Sequence, residues 1–141
     1  MLYIASDHGG FELKNKVISH LKKLGIEFCD LGTNSAESCD FPVYCKKLVA
    51  KVKEDENNKG ILICGSGIGM SICANRNRGI RAALCKDVPT AKLCRQHNDA
   101  NVLILAGRST GVVTANKMVM AFLTTEHLGG KYARRMKMID E

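Results

Sequence analysis

Short apolar runs alternate with segments of helical spacing along the whole chain, and this alternation restricts the fold more than any other feature. "LYIA" (2–5) is a continuous apolar run suited to a strand buried on both faces. Phe11, Leu13, Val17, Ile18, Leu21 and Leu24 then recur mostly at three- and four-residue steps, and Gly25 closes that helix. "IEFCDL" (26–31) is a second strand, "GTNSAESCD" a polar loop, and Pro42 stands in the first turn of a helix running to about 56. "GILIC" (60–64) is a third strand, followed by a glycine turn and a helix to about 76. "IRAAL" (80–84) is the fourth strand, Pro89 opens the next helix, and "NVLILA" (101–106) is the fifth strand. A long helix over about 110–127, then "LGG" and a short basic helix, complete the series. Alternation of this kind predicts an α/β fold: a Rossmann-like, doubly wound sheet of five parallel strands with helices on both faces. At 141 residues it is expected to be one domain, 1–141.

Composition excludes several classes. Two prolines and no low-complexity run argue against disorder, and no apolar stretch reaches the ~18 residues needed to span a bilayer. "MLYIASDHGG" reads as a strand and not as a secretory leader, so a cytoplasmic protein without a membrane partner is expected. The seven cysteines are odd in number and contain no C-x-x-C pair, which fits neither a disulfide framework nor a common zinc motif. Most read as small buried hydrophobes. The net charge of +7 suits nucleic acid or a small phosphorylated substrate. Aromatics at 5%, no tryptophan and no known motif make nucleic acid the poorer reading.

In a parallel α/β sheet, ligands bind beyond the carboxyl ends of the strands, near a switch in strand order. That rule selects Asp7 and His8 after the first strand, Cys64 to Gly69 after the third, and Arg108 after the fifth. "GSGIG" (65–69) misses both the dinucleotide fingerprint and the Walker pattern. Its glycines either permit a tight turn or let the amides of Gly65, Ser66, Gly67, Ile68 and Gly69 converge on an oxyanion. Cys64 stands at the lip of that turn, where a helix N-terminus favours a thiolate. Attack on phosphorus in the manner of cysteine phosphatases needs an arginine where Met70 stands. Proton removal from carbon, with the amides holding the oxyanion that forms, needs only a base and donors. His97 and Asn98, in "RQHNDANV", add a polar pair just before the fifth strand, whereas His20 and His127 look like helix-surface residues. Lys131 and Arg135 stand i and i+4, either a solvated basic face or a phosphate clamp.

With these residues assembled, the chain resembles type B ribose-5-phosphate isomerases nearly end to end. The resemblance rests on "SDHGGFELK", "DLGT", "DFPVYC", "GILICGSGIGMSICANR", "GIRAAL", "RQHNDANVL" and "GGKYARRM", in that order and spacing. It implies an aldose–ketose isomerase interconverting ribose 5-phosphate and ribulose 5-phosphate through a cis-enediolate, with no cofactor and no metal. It further implies that Cys64 is the base, that Ser66 and the amides of 65–69 stabilise the enediolate, and that His97 assists ring opening with Asp7 nearby. Asn98 would hold sugar hydroxyls, and His8, Arg108, Lys131 and Arg135 would surround the phosphate. The family members are homodimers whose sites combine residues of both subunits; pairing of dimers into tetramers is left open.

The chain departs from the family with lysine and tyrosine at Lys131 and Tyr132, where arginine and histidine are common. Lysine keeps the charge and loses the bidentate fork. Related galactose-6-phosphate isomerases divide the catalytic residues between two different subunits. This chain carries Cys64, His97 and the basic pair together, which favours a self-sufficient homodimer. Six-carbon aldose phosphates such as allose 6-phosphate or galactose 6-phosphate, and a noncatalytic phosphate- or nucleotide-binding module, stay open as alternatives.

Overall fold

A computed structural model describes residues 1–141. Its elements are β1 (Leu2–Ser6), α1 (Phe11–Lys23), β2 (Cys29–Asp30), α2 (Phe41–Val52), β3 (Lys59–Cys64) and α3 (Ile68–Asn75). β4 (Ala82–Leu84), α4 (Val88–Gln96), β5 (Val102–Ala106), α5 (Val112–Thr124) and α6 (Lys131–Asp140) follow. The five strands form one parallel sheet in the order β2-β1-β3-β5-β4. The strand order therefore reverses between β1 and β3.

Side-chain alternation along the strands divides the core in two. Leu2, Ile4, Ile61, Ile63, Leu103 and Leu105 face Val17 and Leu21 of α1, Ala91 and Cys94 of α4, and Met118 and Phe122 of α5. Ala5, Leu62, Cys64, Val102 and Ile104 face Cys45, Leu48 and Val49 of α2 and Met70 and Ala74 of α3. The register aligns Ile4, Ile61 and Leu103 in one row and Ala5, Leu62 and Ile104 in the next, so the central strands are apolar on both faces. Cys64 points to the α2–α3 side, and α6 buries none of its residues. No helix is long and apolar enough to cross a membrane.

Several elements are shorter than their sequence patterns suggest, and β4 keeps only Ala82–Leu84 of the 80–84 run. β2 pairs only through Cys29 and Asp30, because it is an edge strand with β1 on one side alone. α2 stops at Val52, where the Asp55 carboxylate accepts the Asn57 N–H at 2.7 Å and forms a local turn. α5 ends at Thr124, since Thr125 is already extended. His127 consequently leaves the helix surface, and its Nδ1 lies 3.0 Å from the Gln96 carbonyl.

The loops that follow β1, β3 and β5 touch backbone to backbone. A Cβ on Gly10 would stand 2.4 Å from the Ile63 carbonyl oxygen, and one on Gly107 would stand 2.6 Å from that of Gly9. Gly10→Ala is therefore expected to lower stability by at least about 2 kcal/mol in a denaturant melt. Gly111→Ser, at an open N-cap position with nothing within 4 Å, is the matched control and is expected to leave stability unchanged or slightly raised.

Candidate active site

The carboxyl ends of β1, β3 and β5 open into a cleft of about 490 Å³, lined by Asp7, His8, Gly9, Phe41, Cys64, Gly65, Ser66, Gly69, Arg108 and Ser109. Each group arrives through a local cause. Asp7 follows β1 directly, and its Oδ1 accepts the Gly10 N–H at 3.1 Å, which fixes the carboxylate at the head of α1. His8 comes next, with its Nδ1 accepting the Cys39 backbone N–H at 3.2 Å. Cys64 is the last residue of β3 and is 5% exposed, while Asp7 is 8% exposed. Both belong to the wall of the cleft.

The glycine loop makes a tight strand-to-helix turn. Gly67 has φ +78° and caps α3. A Cβ there would meet Leu84 at 2.5 Å. The Ser66 Oγ accepts the Ile68 N–H at 3.2 Å, so one loop donor is used internally and the hydroxyl hydrogen stays free. The amides of Gly65, Ser66, Gly67 and Gly69 donate to no protein group. Such a run of unengaged N–H groups at a helix start suits an anion. Ile68 is 56% exposed and does not line the cleft, and neither does Gly67. The Arg108 side chain lies across Gly65, its Cδ and Nε 3.4 Å from where a Cβ would stand. Its guanidinium makes no ion pair or hydrogen bond within the chain and is available to a negatively charged ligand.

Phe41 is the contribution that strand-end reasoning missed. It reaches the cleft from the head of α2, and a Cβ on Gly69 would stand 2.8 Å from its ring. Its position after β2 is the available signal, because the carboxyl-edge rule applies to that strand as well. Gly9 and Ser109 accompany the neighbours already identified.

The remaining sequence candidates lie elsewhere in the chain. His97 caps the end of α4 and precedes the amino end of β5, whereas the cleft lies at the carboxyl end. Five residues of strand, about 16 Å, separate those two edges. His97 stacks on Tyr132 with ring centroids 4.3 Å apart and planes at 8°. Lys131 Nζ and the Arg135 guanidinium lie 5.3 and 6.0 Å from the same ring. Asn98 Nδ2 is 3.9 Å from the Met136 sulfur. One chain thus forms two clusters at opposite edges of its sheet: thiol, carboxylate, loop amides and Arg108 at one, and His97, Asn98, Lys131 and Arg135 at the other.

Asp99 fixes the second cluster. It pairs with Arg81 at 3.0 Å and Arg95 at 2.9 Å, and Arg81 reaches on to Asp140 of α6 at 2.8 Å. A larger cavity of about 640 Å³ opens beside this network. No thiol or histidine lines it, and its two arginines are answered by Asp99, which leaves the smaller cleft as the candidate site.

The other buried thiols differ from Cys64 in having no access to the cleft. Burial, and then the neighbouring Cys73, push Cys45 far up. A hydrogen bond with Cys85, and then burial, do the same to Cys94. No group of three or more His, Cys, Asp or Glu residues is placed to hold a metal ion.

The matching family model is described as ribose/galactose isomerase and covers residues 2–139. The chain belongs to the ribose/galactose isomerase family. Among its relatives, the ribose-5-phosphate isomerase B of Escherichia coli is 43% identical over 133 residues, covering 94% of this chain and 89% of the other. The crystal structure of a ribose 5-phosphate isomerase from Thermotoga maritima matches with a TM-score of 0.96 at 52% identity, covering 99% and 96% of the two chains. A Mycoplasma genitalium ribose-5-phosphate isomerase B, solved with bound ribulose-5-phosphate, matches with a TM-score of 0.95 at 39% identity, covering 99% and 93%. The five-stranded parallel fold of this ribose/galactose isomerase family member is thus shared along nearly its whole length.

Phe41 and Gly69 pack so closely that Gly69→Ala must move the ring or the helix start. It is expected to lower kcat/KM by about 10²-fold through displacement of the loop. Far-UV circular dichroism should stay unchanged, since the contact involves a side chain at the cleft.

Proposed function

We propose that this chain is a ribose-5-phosphate isomerase, converting ribose 5-phosphate to ribulose 5-phosphate through a cis-enediolate. The observation that carries the reading is a nearly buried thiol, Cys64, beside a row of unengaged loop amides and an unpaired arginine in one cleft. In the open-chain sugar, the Cys64 thiolate takes the proton from C2. The C2–H electron pair becomes the C1–C2 double bond, and the carbonyl electrons move to O1. Ser66 and the loop amides hold this oxyanion where the charge develops. The thiol then returns its proton to C1, the O2 proton passes to O1, and a ketone remains at C2. His8 and Arg108 receive the phosphate, and Asp7 lies beside the reacting end.

The second cluster joins this site from another copy of the chain. Within one chain His97 and Cys64 stand at opposite edges of the sheet, and α6 buries none of its residues. Exposed Ile68 and Ile72 on α3, with Met138 and Ile139 on α6, offer apolar surface for that contact. In the homodimer, the partner's His97 donates a proton to the ring oxygen and opens the sugar, its Asn98 binds hydroxyls, and its Lys131 and Arg135 close on the phosphate. The unit that carries the reaction is the whole of 1–141, acting in the cytoplasm.

Cys64→Ala is expected to lower kcat on ribose 5-phosphate by about 10²–10⁴-fold, with the fold retained. Near-normal turnover would remove Cys64 as the base. The shared site has its own test. Inactive Cys64→Ala and His97→Ala chains, co-refolded, should regain up to about a quarter of wild-type activity, because each mixed two-fold dimer contains one intact site. No recovery on mixing would place both residues' contributions within one chain.

A further inference from the structure

Lys14 is fully buried, yet it is a lysine in an otherwise apolar stripe of α1. A buried ammonium is unfavourable unless its hydrogens meet acceptors, so its partners disclose its purpose. Both lie in one short segment. Lys14 Nζ donates to Asp30 Oδ1 at 2.6 Å and to the Thr33 carbonyl at 2.7 Å. The same Asp30 oxygen accepts the Gly32 N–H at 2.9 Å. Backbone bonds join this segment to Ser6: Ser6 N–H to the Gly32 carbonyl, and Thr33 N–H to the Ser6 carbonyl, both 2.8 Å.

The segment is the root of the loop between β2 and α2, whose middle, Asn34 to Ser38, is exposed. At its far end the loop performs two tasks at the cleft. Cys39 delivers its backbone N–H to His8 Nδ1, and Phe41 forms a wall. Because Nδ1 accepts that hydrogen bond, the ring hydrogen resides on Nε2, and His8 presents Nε2–H as its donor. A donor is what an anionic phosphate oxygen needs. The opposite tautomer would present a lone pair to it.

We infer that Lys14 is a positioning residue: its buried ammonium clamps the root of the β2–α2 loop so that the Cys39 amide holds His8 with Nε2–H directed to the substrate phosphate. The inference rests on the reading of His8 as a phosphate contact given above. Lys14 itself touches no substrate. It acts through Asp30 and Thr33 on the loop, and through Cys39 on the imidazole.

The test uses the full-length protein and two readouts. Lys14→Met leaves Asp30 without its cation, so the double variant Lys14→Met/Asp30→Asn is the informative one. In its folded form we expect KM for ribose 5-phosphate to rise about tenfold with kcat within about twofold. Long-range proton–nitrogen correlation spectra should show His8 changing from a fixed Nε2–H form to mixed tautomers. A folded double variant with wild-type KM and unchanged His8 ring nitrogens would overturn the inference. The wild-type protein alone also decides: a His8 hydrogen found on Nδ1 would overturn it without any variant. His8→Ala separates the two readings. An unchanged KM there would remove His8 from the phosphate site, while the spectra would still report whether Lys14 sets its tautomer.

Discussion

Three loops can meet at the centre of this sheet only because three glycines let backbone touch backbone. Gly9 and Gly10 after β1 and Gly107 after β5 stand where a methyl group would collide with a neighbouring main chain, the closest at 2.4 Å from the Ile63 carbonyl oxygen. This contact occurs at the reversal between β1 and β3, where the flanking connections diverge and leave a crevice. The register then does the rest. Ser6 pairs with Ile63, and Cys64 with Ala106, so Asp7, Cys64 and Arg108 leave the sheet close together and cannot avoid one another. Larger side chains at these glycines would push the loops apart and dilute every electrostatic interaction that the cleft offers.

The distribution of charge follows from the same geometry. Arg108 finds no carboxylate in its own chain, although five other ion pairs form. Its place over Gly65 leaves the guanidinium facing solvent in the cleft, where Asp7 already serves the Gly10 amide. At the other edge, Asp99 draws in Arg81 and Arg95, and Arg81 draws in Asp140. That network spends its charges internally and fixes a rigid base for His97 and Asn98. Lys131 and Arg135 take no part in it. The unneutralised cations Arg108, Lys131 and Arg135 are thus split between two edges, the division that the proposed two-copy site uses.

The fold was legible because its signals are local. Continuous apolar runs such as "GILIC" and "NVLILA" mark strands covered on both faces, and the stripe from Leu13 to Leu21 marks a helix. The carboxyl-edge rule selected Asp7, His8, Cys64, Gly65, Ser66, Gly69 and Arg108, which line one cleft, without knowledge of strand order. The misses have physical causes. β2 and the end of α5 depend on pairing and on Thr125 turning extended, neither of which periodicity reports. His127 follows a helical pattern but is claimed by the end of α4. The separation of His97 from Cys64 was hidden because proximity to a strand does not say which end. Lys14 was the most readable of the overlooked residues. It stands three and four positions before Val17 and Ile18, on the buried stripe, and a charge on such a stripe demands a partner.

Tyr132 bears on the proposed role of Lys131 toward phosphate. A lysine at 131 provides a point charge on a flexible chain, whereas an arginine would provide a planar fork with less freedom to lose. The tyrosine ring offsets part of that difference. It is held flat against His97, and both Lys131 Nζ and the Arg135 guanidinium sit over or beside it within about the range of a cation–π contact. The ring therefore narrows the positions open to the lysine ammonium before any ligand arrives. It also ties the two cations to the imidazole, so that a shift of α6 would move all three together. In the proposed site, lysine at 131 retains the charge and tyrosine at 132 supplies its placement.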